Sequence, residues 1–281
     1  MEAKHIDLET LRETPPWEWP EQASAELLAV LRDPAATASD RRLAAELGGE
    51  FTVVGDEIVA ALLSILTDAN EAEGLRATAA ISLGPVLEYA DEEGFEDGKT
   101  MNEVPITPET FGRIQATLHR LYHDPQTPDE IRRRVLEASV RAEQGWHPDA
   151  VRLAYYDGRE PWRLTAVFCM RFVPGFEKEI LMAVADESSD IRLEAISAAG
   201  NWQIDGAWSQ VASLIRSRKT EKPLLLAAIE AAASIRPEEA PGLLGDLLES
   251  KDEEIAETVQ EALTMAEGFS EEKEEEEEEE E

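Results

Sequence analysis

A chain of 281 residues with 43% hydrophobic side chains is long enough to bury a sizeable core, which excludes a wholly disordered protein. Aromatic residues make up only 6%, and long stretches consist of Ala, Leu, Glu and Arg, so helices are predicted and an extended sheet is not. The formal net charge of −35 repels phosphate backbones and anionic lipid surfaces, so neither nucleic acid nor a membrane is expected as a partner.

The N-terminal segment, residues 1–23, has neither the basic start nor the apolar run of a signal peptide. No later apolar run approaches a membrane-spanning length, so a cytoplasmic protein is expected. Residues 15–20 read Pro-Pro-Trp-Glu-Trp-Pro and cannot be helical throughout, because proline lacks an amide N–H. This run is predicted either to cap the first repeat or to dock elsewhere, and Trp17 and Trp19 are candidate partner contacts.

An internal repeat is the main feature of the chain. Five segments share one frame that begins with arginine, and two weaker copies follow; the frame starts at Arg41, Arg76, Arg132, Arg163, Arg192, Leu225 and Ala256. Each start follows an amphipathic run that ends in a polar turn, so every unit is predicted to be a helical hairpin. Stacked hairpins bury a continuous core, which predicts one elongated array over residues 24–269.

Aspartates stand at predicted helix ends within the hairpins. Three of them are expected to close the first helix, namely Asp68, Asp124 and Asp186. Three others stand just ahead of the second helix and are predicted to cap its exposed N–H groups, namely Asp40, Asp129 and Asp190.

One repeat interval is longer than the rest, because 56 residues separate Arg76 from Arg132. It contains an insertion at about residues 91–108, which is polar and rich in Gly and Pro and is predicted to be an exposed loop. Its carboxylates do not fit an EF-hand, because Glu96 stands where that loop needs glycine, so no metal is assigned. The loop is either a solvated spacer or a partner contact through Phe95 and Met101.

The chain ends in an acidic tail, residues 270–281, with an unbroken run of glutamates over residues 274–281. Like-charge repulsion predicts a disordered segment. The tail either attracts basic partners or keeps the protein soluble, and the acidity as a whole is equally consistent with a saline environment.

Catalytic chemistry is not visible in the sequence, so no catalytic, cofactor-binding or metal-binding residue is assigned and no enzyme is expected. His119 and His123 stand four apart on a predicted helix, a spacing that suits a shared metal, but no glutamate motif accompanies them. The single cysteine, Cys169, cannot form an internal disulfide and is predicted to be buried. The basic run Arg132-Arg133-Arg134 follows Asp129 and Glu130 and is predicted to be a salt-bridged helix start.

The repeat segments resemble the HEAT repeat, especially the short bacterial type also found in phycobilisome-lyase-like proteins, whose pattern runs Leu-Leu, Asp, Val-Arg, Ala-Ala, Leu-Gly. The five frame-starting arginines fall at the pattern's Arg, and Leu83-Gly84 falls at its Leu-Gly. The resemblance covers roughly residues 24–266 and implies an all-α fold, an α-solenoid of about seven stacked helical hairpins. Family members bind many unrelated partners, and only a few of them are enzymes.

A non-catalytic scaffold is therefore expected, holding a protein partner, possibly a basic one, on the solenoid surface and needing no cofactor. Trp146 and Trp202 lie near hairpin turns and are further candidate contacts, although packing is the default role for such residues. The alternative is an accessory or lyase-like subunit that acts on a protein-bound or small ligand in the groove.

Overall fold

The computed structural model describes residues 7–95 and 104–280, with side chains as far as Gly268. Over these ranges the chain is helical and contains no strand, which confirms the predicted all-α class. Residues 51–54, the only candidate strand in the sequence, form a turn. None of the helices in the described ranges combines the length and apolar character needed to cross a membrane.

Seven helical hairpins follow one another in the described part of the chain. Their first helices are α2 (Ala23–Arg32), α4 (Asp56–Thr67), α7 (Pro108–His123), α9 (His147–Tyr155), α11 (Glu177–Ala183), α13 (Trp208–Arg216) and α15 (Ala240–Leu244). Their second helices are α3 (Ala38–Leu47), α5 (Glu73–Ile81), α8 (Asp129–Ser139), α10 (Glu160–Cys169), α12 (Ser189–Asn201), α14 (Lys222–Ile235) and α16 (Glu253–Glu280). Every frame start predicted from the sequence is the fourth residue of one of these second helices.

Helices outside this pattern are α1 (Leu8–Glu13), which precedes the first hairpin, and α6 (Gly84–Glu93), which follows the second. Short 3₁₀ turns occur at Pro16–Glu18, Asp205–Ala207 and Gly245–Leu247. Helix α6 continues through Glu93 and ends at Gly94, whose φ of 69° suits glycine, so the first residues of the predicted insertion are helical. Residues 96–103 of the insertion lie outside the described residues.

The chain divides into two compact units, residues 1–147 and 148–281. In the first unit α3 packs on α5 and α5 on α8; in the second, α10 packs on α12, α12 on α14 and α14 on α16. Hairpins stacked in chain order within each unit are the architecture of an α-solenoid. The predicted boundaries of the N-terminal segment, the repeat array and the disordered tail stay predictions.

Glycine at the ninth position of the frame lets consecutive second helices approach closely. Gly49, Gly84 and Gly200 occupy this position. A Cβ atom on Gly49 would lie 2.8 Å from the carbonyl oxygen of Ser82, and one on Gly200 would lie 2.9 Å from Cα of Ala231. Ser82 and Ala231 both hold the seventh position of the following frame, so the Leu-Gly element of the repeat is a packing requirement.

In three of the hairpins, arginine at the first position of the frame closes the preceding helix. Arg76 Nε donates to the carbonyl of Leu66 at 3.0 Å, and Arg132 Nε donates to that of Tyr122 at 3.1 Å. Arg41 Nη2 makes the same bond to Leu31 at 3.3 Å. In each hairpin the acceptor stands ten residues earlier, among the last carbonyls of the first helix, which have no partner within that helix.

Cations near the starts of second helices also join neighbouring hairpins. The pairs are Arg41–Glu71 at 2.7 Å, Arg163–Asp186 at 3.2 Å and Lys222–Asp252 at 2.7 Å. Each carboxylate stands in the turn of the following hairpin. The links are partly exposed, so each contributes little energy but fixes the register of two repeats.

We expect Arg76→Met to lower the free energy of unfolding by about 1 kcal/mol, because the buried Leu66 carbonyl loses a charged hydrogen-bond donor. Urea unfolding followed by circular dichroism measures this change. Arg42→Met is the matched control, since Arg42 is exposed and makes no hydrogen bond or ion pair with the described residues. Equal stability of the two variants would contradict a capping role for Arg76.

Two of the three predicted C-terminal caps are confirmed, and the predicted N-terminal caps are wrong. Asp68 and Asp124 are the C-caps of α4 and α7, and each accepts a hydrogen bond from the amide two residues later, at 2.9 Å. Asp186 does not cap α11, whose C-cap is Val184; it lies in the turn and accepts a hydrogen bond from the Ser188 amide at 2.9 Å. The predicted N-caps, Asp40, Asp129 and Asp190, lie instead inside the first turns of α3, α8 and α12. Thr37 caps α3, so the carboxylates there favour the helix through its dipole.

Candidate partner-binding site

The two tryptophans of the N-terminal segment differ in their surroundings. The Trp19 indole N–H donates to the carbonyls of Leu11 and Thr14, at 2.9 and 2.8 Å, and so closes the end of α1. Trp17 lies on the neighbouring 3₁₀ turn and is 78% exposed. The indole N–H of Trp19 is therefore satisfied within its own segment, whereas the exposed ring of Trp17 can contact another molecule.

Trp202 and Phe95 are both partly exposed. The Trp202 indole N–H donates to the carbonyl of Met170 at 2.6 Å, which closes the end of α10 and leaves the side chain 41% exposed. Phe95 is 36% exposed and packs edge to face on Phe111, with ring centroids 5.5 Å apart. Met101, the remaining candidate in the insertion, lies outside the described residues.

Trp146 belongs to a ring cluster at the end of the first unit. Its ring centroid lies between 4.1 and 5.3 Å from those of His119, Tyr122, His123 and His147. His119 and His123 are exposed, as expected. No group of three His, Cys, Asp or Glu side chains able to hold a metal occurs among the described residues.

His147 is the buried member of the ring cluster. Its Nδ1 accepts the amide N–H of Gln144 at 2.9 Å, and its Nε2 lies 3.1 Å from Oγ of Ser139. The Ser139 hydroxyl donates to the carbonyl of Leu136, so Nε2 carries the proton and His147 is neutral. Burial, and secondarily the nearby His119, lower the pKa of His147 to about 4. These features describe a packed core histidine with its hydrogen bonds satisfied.

The basic run on α8 is neutralised by its own helix. Arg132 pairs with Asp129 at 3.6 Å, Arg133 pairs with Glu130, and Arg134 lies 3.0 Å from Glu130. Burial raises the pKa of Glu130, but hydrogen bonds from Arg133 and Arg134 outweigh it and hold that pKa below its usual value. The salt-bridged helix start predicted from the sequence is confirmed.

Within the described residues no contact joins two of the candidate side chains, and a groove that the sequence analysis missed is the better site. It lies in the second unit on α12, α14 and α16 and has a volume of about 350 Å³. Equivalent frame positions of consecutive repeats line it: Ala227, Glu230, Ala231 and Ser234 on α14, and Thr258, Glu261, Ala262 and Met265 on α16. A comparison of the residues at the third, sixth, seventh and tenth frame positions of successive repeats would have identified this groove from the sequence.

The hydroxyl groups of the groove are turned toward their own helices. Ser197, Ser234 and Thr258 donate to carbonyls four residues earlier, at 3.2, 3.4 and 2.8 Å. These bonds leave Glu230 and Glu261, together with Arg171 at one end, as the charged groups of the lining. The groove offers surfaces for binding rather than a nucleophile with its base.

Arg171 is held at its end of the groove by Glu194 on α12 and by two phenylalanines of its own repeat. Its Nη1 lies 3.5 Å from Oε2 of Glu194, and its guanidinium lies 5.8 and 5.9 Å from the ring centroids of Phe168 and Phe172. The positive charge of Arg171 is therefore partly balanced by Glu194 and by the two aromatic rings.

No protein-family model matches the chain, and no curated protein matches it. Several solved structures do match. YibA of Escherichia coli is 15% identical, with a TM-score of 0.46, over 90% of this chain and 84% of its own. Human deoxyhypusine hydroxylase in complex with glycerol is 16% identical, with a TM-score of 0.42, over 93% and 88%. Similarities at these values carry no argument about what this chain does.

Proposed function

We propose that this chain is a HEAT-repeat scaffold of the short bacterial type, with phycobilisome-lyase-like repeats, which binds a protein partner in the cytoplasm without catalysing a reaction. The observation that carries the proposal is the groove on α12, α14 and α16, built from the same frame positions in successive repeats. A repeated surface of this kind is how solenoids present an extended site to another protein.

The chemistry of the groove supports binding over the accessory or lyase-like alternative. A site that transforms a ligand needs polar groups that converge on it. The three hydroxyls of the groove donate instead to their own helices. The remaining carboxylates, Glu230 and Glu261, are suited to attract a positively charged group of a partner protein.

The partner is proposed to be basic. A net charge of −35 accelerates encounter with positively charged proteins and repels acidic ones. Trp17 is the best placed of the predicted contacts, because its ring is exposed and large aromatic side chains dominate binding energy at interfaces.

The test is affinity capture from a native lysate at 50 and 300 mM salt, with mass spectrometry of the bound proteins. The full-length chain and a variant that ends at Ser270 serve as baits. We expect a basic partner whose recovery falls with salt, since screening weakens long-range attraction. Retention by the shortened bait would place binding on the folded repeats. If neither bait enriches any protein above background at either salt concentration, the scaffold proposal is wrong.

A further inference from the structure

The charged groups of the groove are two carboxylates, Glu230 and Glu261, and one cation, Arg171, which lies 3.5 Å from Glu194. Glu230 and Glu261 are exposed, and within the described residues neither forms an ion pair.

Glu230 and Glu261 hold the same frame position on neighbouring helices and line one groove. Two like charges that share a groove raise each other's electrostatic energy, and a cation placed between them relieves it. Arg171 also lines the groove but pairs with Glu194, so the two groove carboxylates suit a positive group from another molecule.

The floor beneath these carboxylates is apolar and shallow. Ala227, Ala231 and Ala262 are buried and expose only small side chains. Met265 forms a wall and is 39% exposed, with a flexible thioether that adapts to different shapes. A lysine or arginine side chain matches this arrangement, because its long aliphatic stem covers apolar surface while its charged end stays near polar groups.

Resting on the proposed scaffold function, we infer that this groove binds a basic peptide segment of a partner protein. A lysine or arginine of the segment lies between Glu230 and Glu261, and an adjacent apolar residue packs against Met265 and the alanine floor. Charge complementarity selects this occupant: the chain's own glutamate-rich tail and phosphate-bearing ligands are repelled by the same two carboxylates.

The experiment uses the full-length protein labelled with ¹³C at its methionine methyl groups. The chain has five methionines, so the spectrum is simple, and Met265→Leu assigns the reporter signal. The probe is the peptide acetyl-Ala-Leu-Lys-Leu-Ala-amide, compared with the same peptide carrying Glu in place of Lys. We expect the lysine peptide to shift the Met265 signal in a saturable way and the glutamate peptide to leave it unchanged.

The variant Glu230→Gln with Glu261→Gln tests the carboxylates themselves. It should weaken binding of the lysine peptide about tenfold, because the cation loses both partners while the shape of the groove is kept. The matched control, Glu238→Gln with Glu249→Gln, removes the same net charge from exposed positions outside the groove lining and should bind as the parent does. Unchanged thermal unfolding verifies that both variants fold.

Two results would overturn the inference: unchanged affinity in the groove variant, or a peptide that shifts other methionine signals and not that of Met265. Lysate capture with the same variant separates this inference from the scaffold proposal. A partner still captured by the groove variant, with no peptide binding to the parent, rejects the groove and keeps the scaffold. Peptide binding without any captured partner rejects the scaffold instead.

Discussion

Acidification from pH 7 to pH 4 is expected to lower the free energy of unfolding by about 3 kcal/mol through His147 alone. The pKa of this residue is about 4 in the folded chain, against 6.5 for an ordinary histidine. The unfolded chain therefore binds the proton first. The stabilisation is complete above pH 6.5 and is lost as the pH falls from 6.5 toward 4, because protonation at Nδ1 would charge a buried ring and remove the acceptor of the Gln144 amide.

Urea unfolding at several pH values between 7 and 4 measures this effect against His147→Gln, which cannot titrate. The parent should lose more stability than the variant over this range, while carboxylates shared by both proteins cancel in the comparison. His123→Gln is the control, because His123 is exposed and should leave the pH slope of the parent intact. Parallel pH profiles for the parent and His147→Gln would show that the ring is not held neutral.

Gly200→Ala is expected to destabilise the second unit by about 2 kcal/mol, although alanine is the better helix former. The added Cβ would lie 2.9 Å from Cα of Ala231 and 3.1 Å from its Cβ, so α12 and α14 must separate. Both helices line the groove, and a separation there removes contacts along their whole interface.

Chemical unfolding of the purified variant measures the loss. Gly268→Ala, in the helical part of α16 where an added Cβ meets no atom within 4 Å, is the matched control and should leave stability unchanged or slightly higher. Combining Gly200→Ala with Ala231→Gly should recover part of the loss, because one of the two clashing groups is removed. A stable Gly200→Ala protein would mean that the helices are not in tight contact.

The repeat frame was predictable because the core requires the same residue type at the same place in every hairpin. Seven frame starts therefore coincide with the fourth residue of seven helices. The groove was not predicted, because Glu230 and Glu261 come together only through the stacking of helices that are about 30 residues apart in the chain. Within one helix each is an ordinary exposed glutamate.

The arginine of the frame was recognised from the sequence, but its role was not. Arg76 and Arg132 reach carbonyls ten residues earlier, and only the length of the turn between two helices sets that distance. The caps were misplaced for a related reason. Asp40 follows Thr37, whose hydroxyl can take the capping position as readily as a carboxylate, and the choice depends on where the chain bends.

The links through the hairpin turns share one direction. In the pairs Arg41–Glu71, Arg163–Asp186 and Lys222–Asp252 the cation belongs to the earlier repeat, whereas in the Arg141–Glu88 pair, outside the turns, it belongs to the later one. Loss of an earlier repeat would leave a carboxylate in a solvated turn, which costs little. Loss of a later repeat would leave a cation without its carboxylate partner, beside the positive end of a helix dipole. Removal of a later repeat should therefore cost more through these turn contacts than removal of an earlier one.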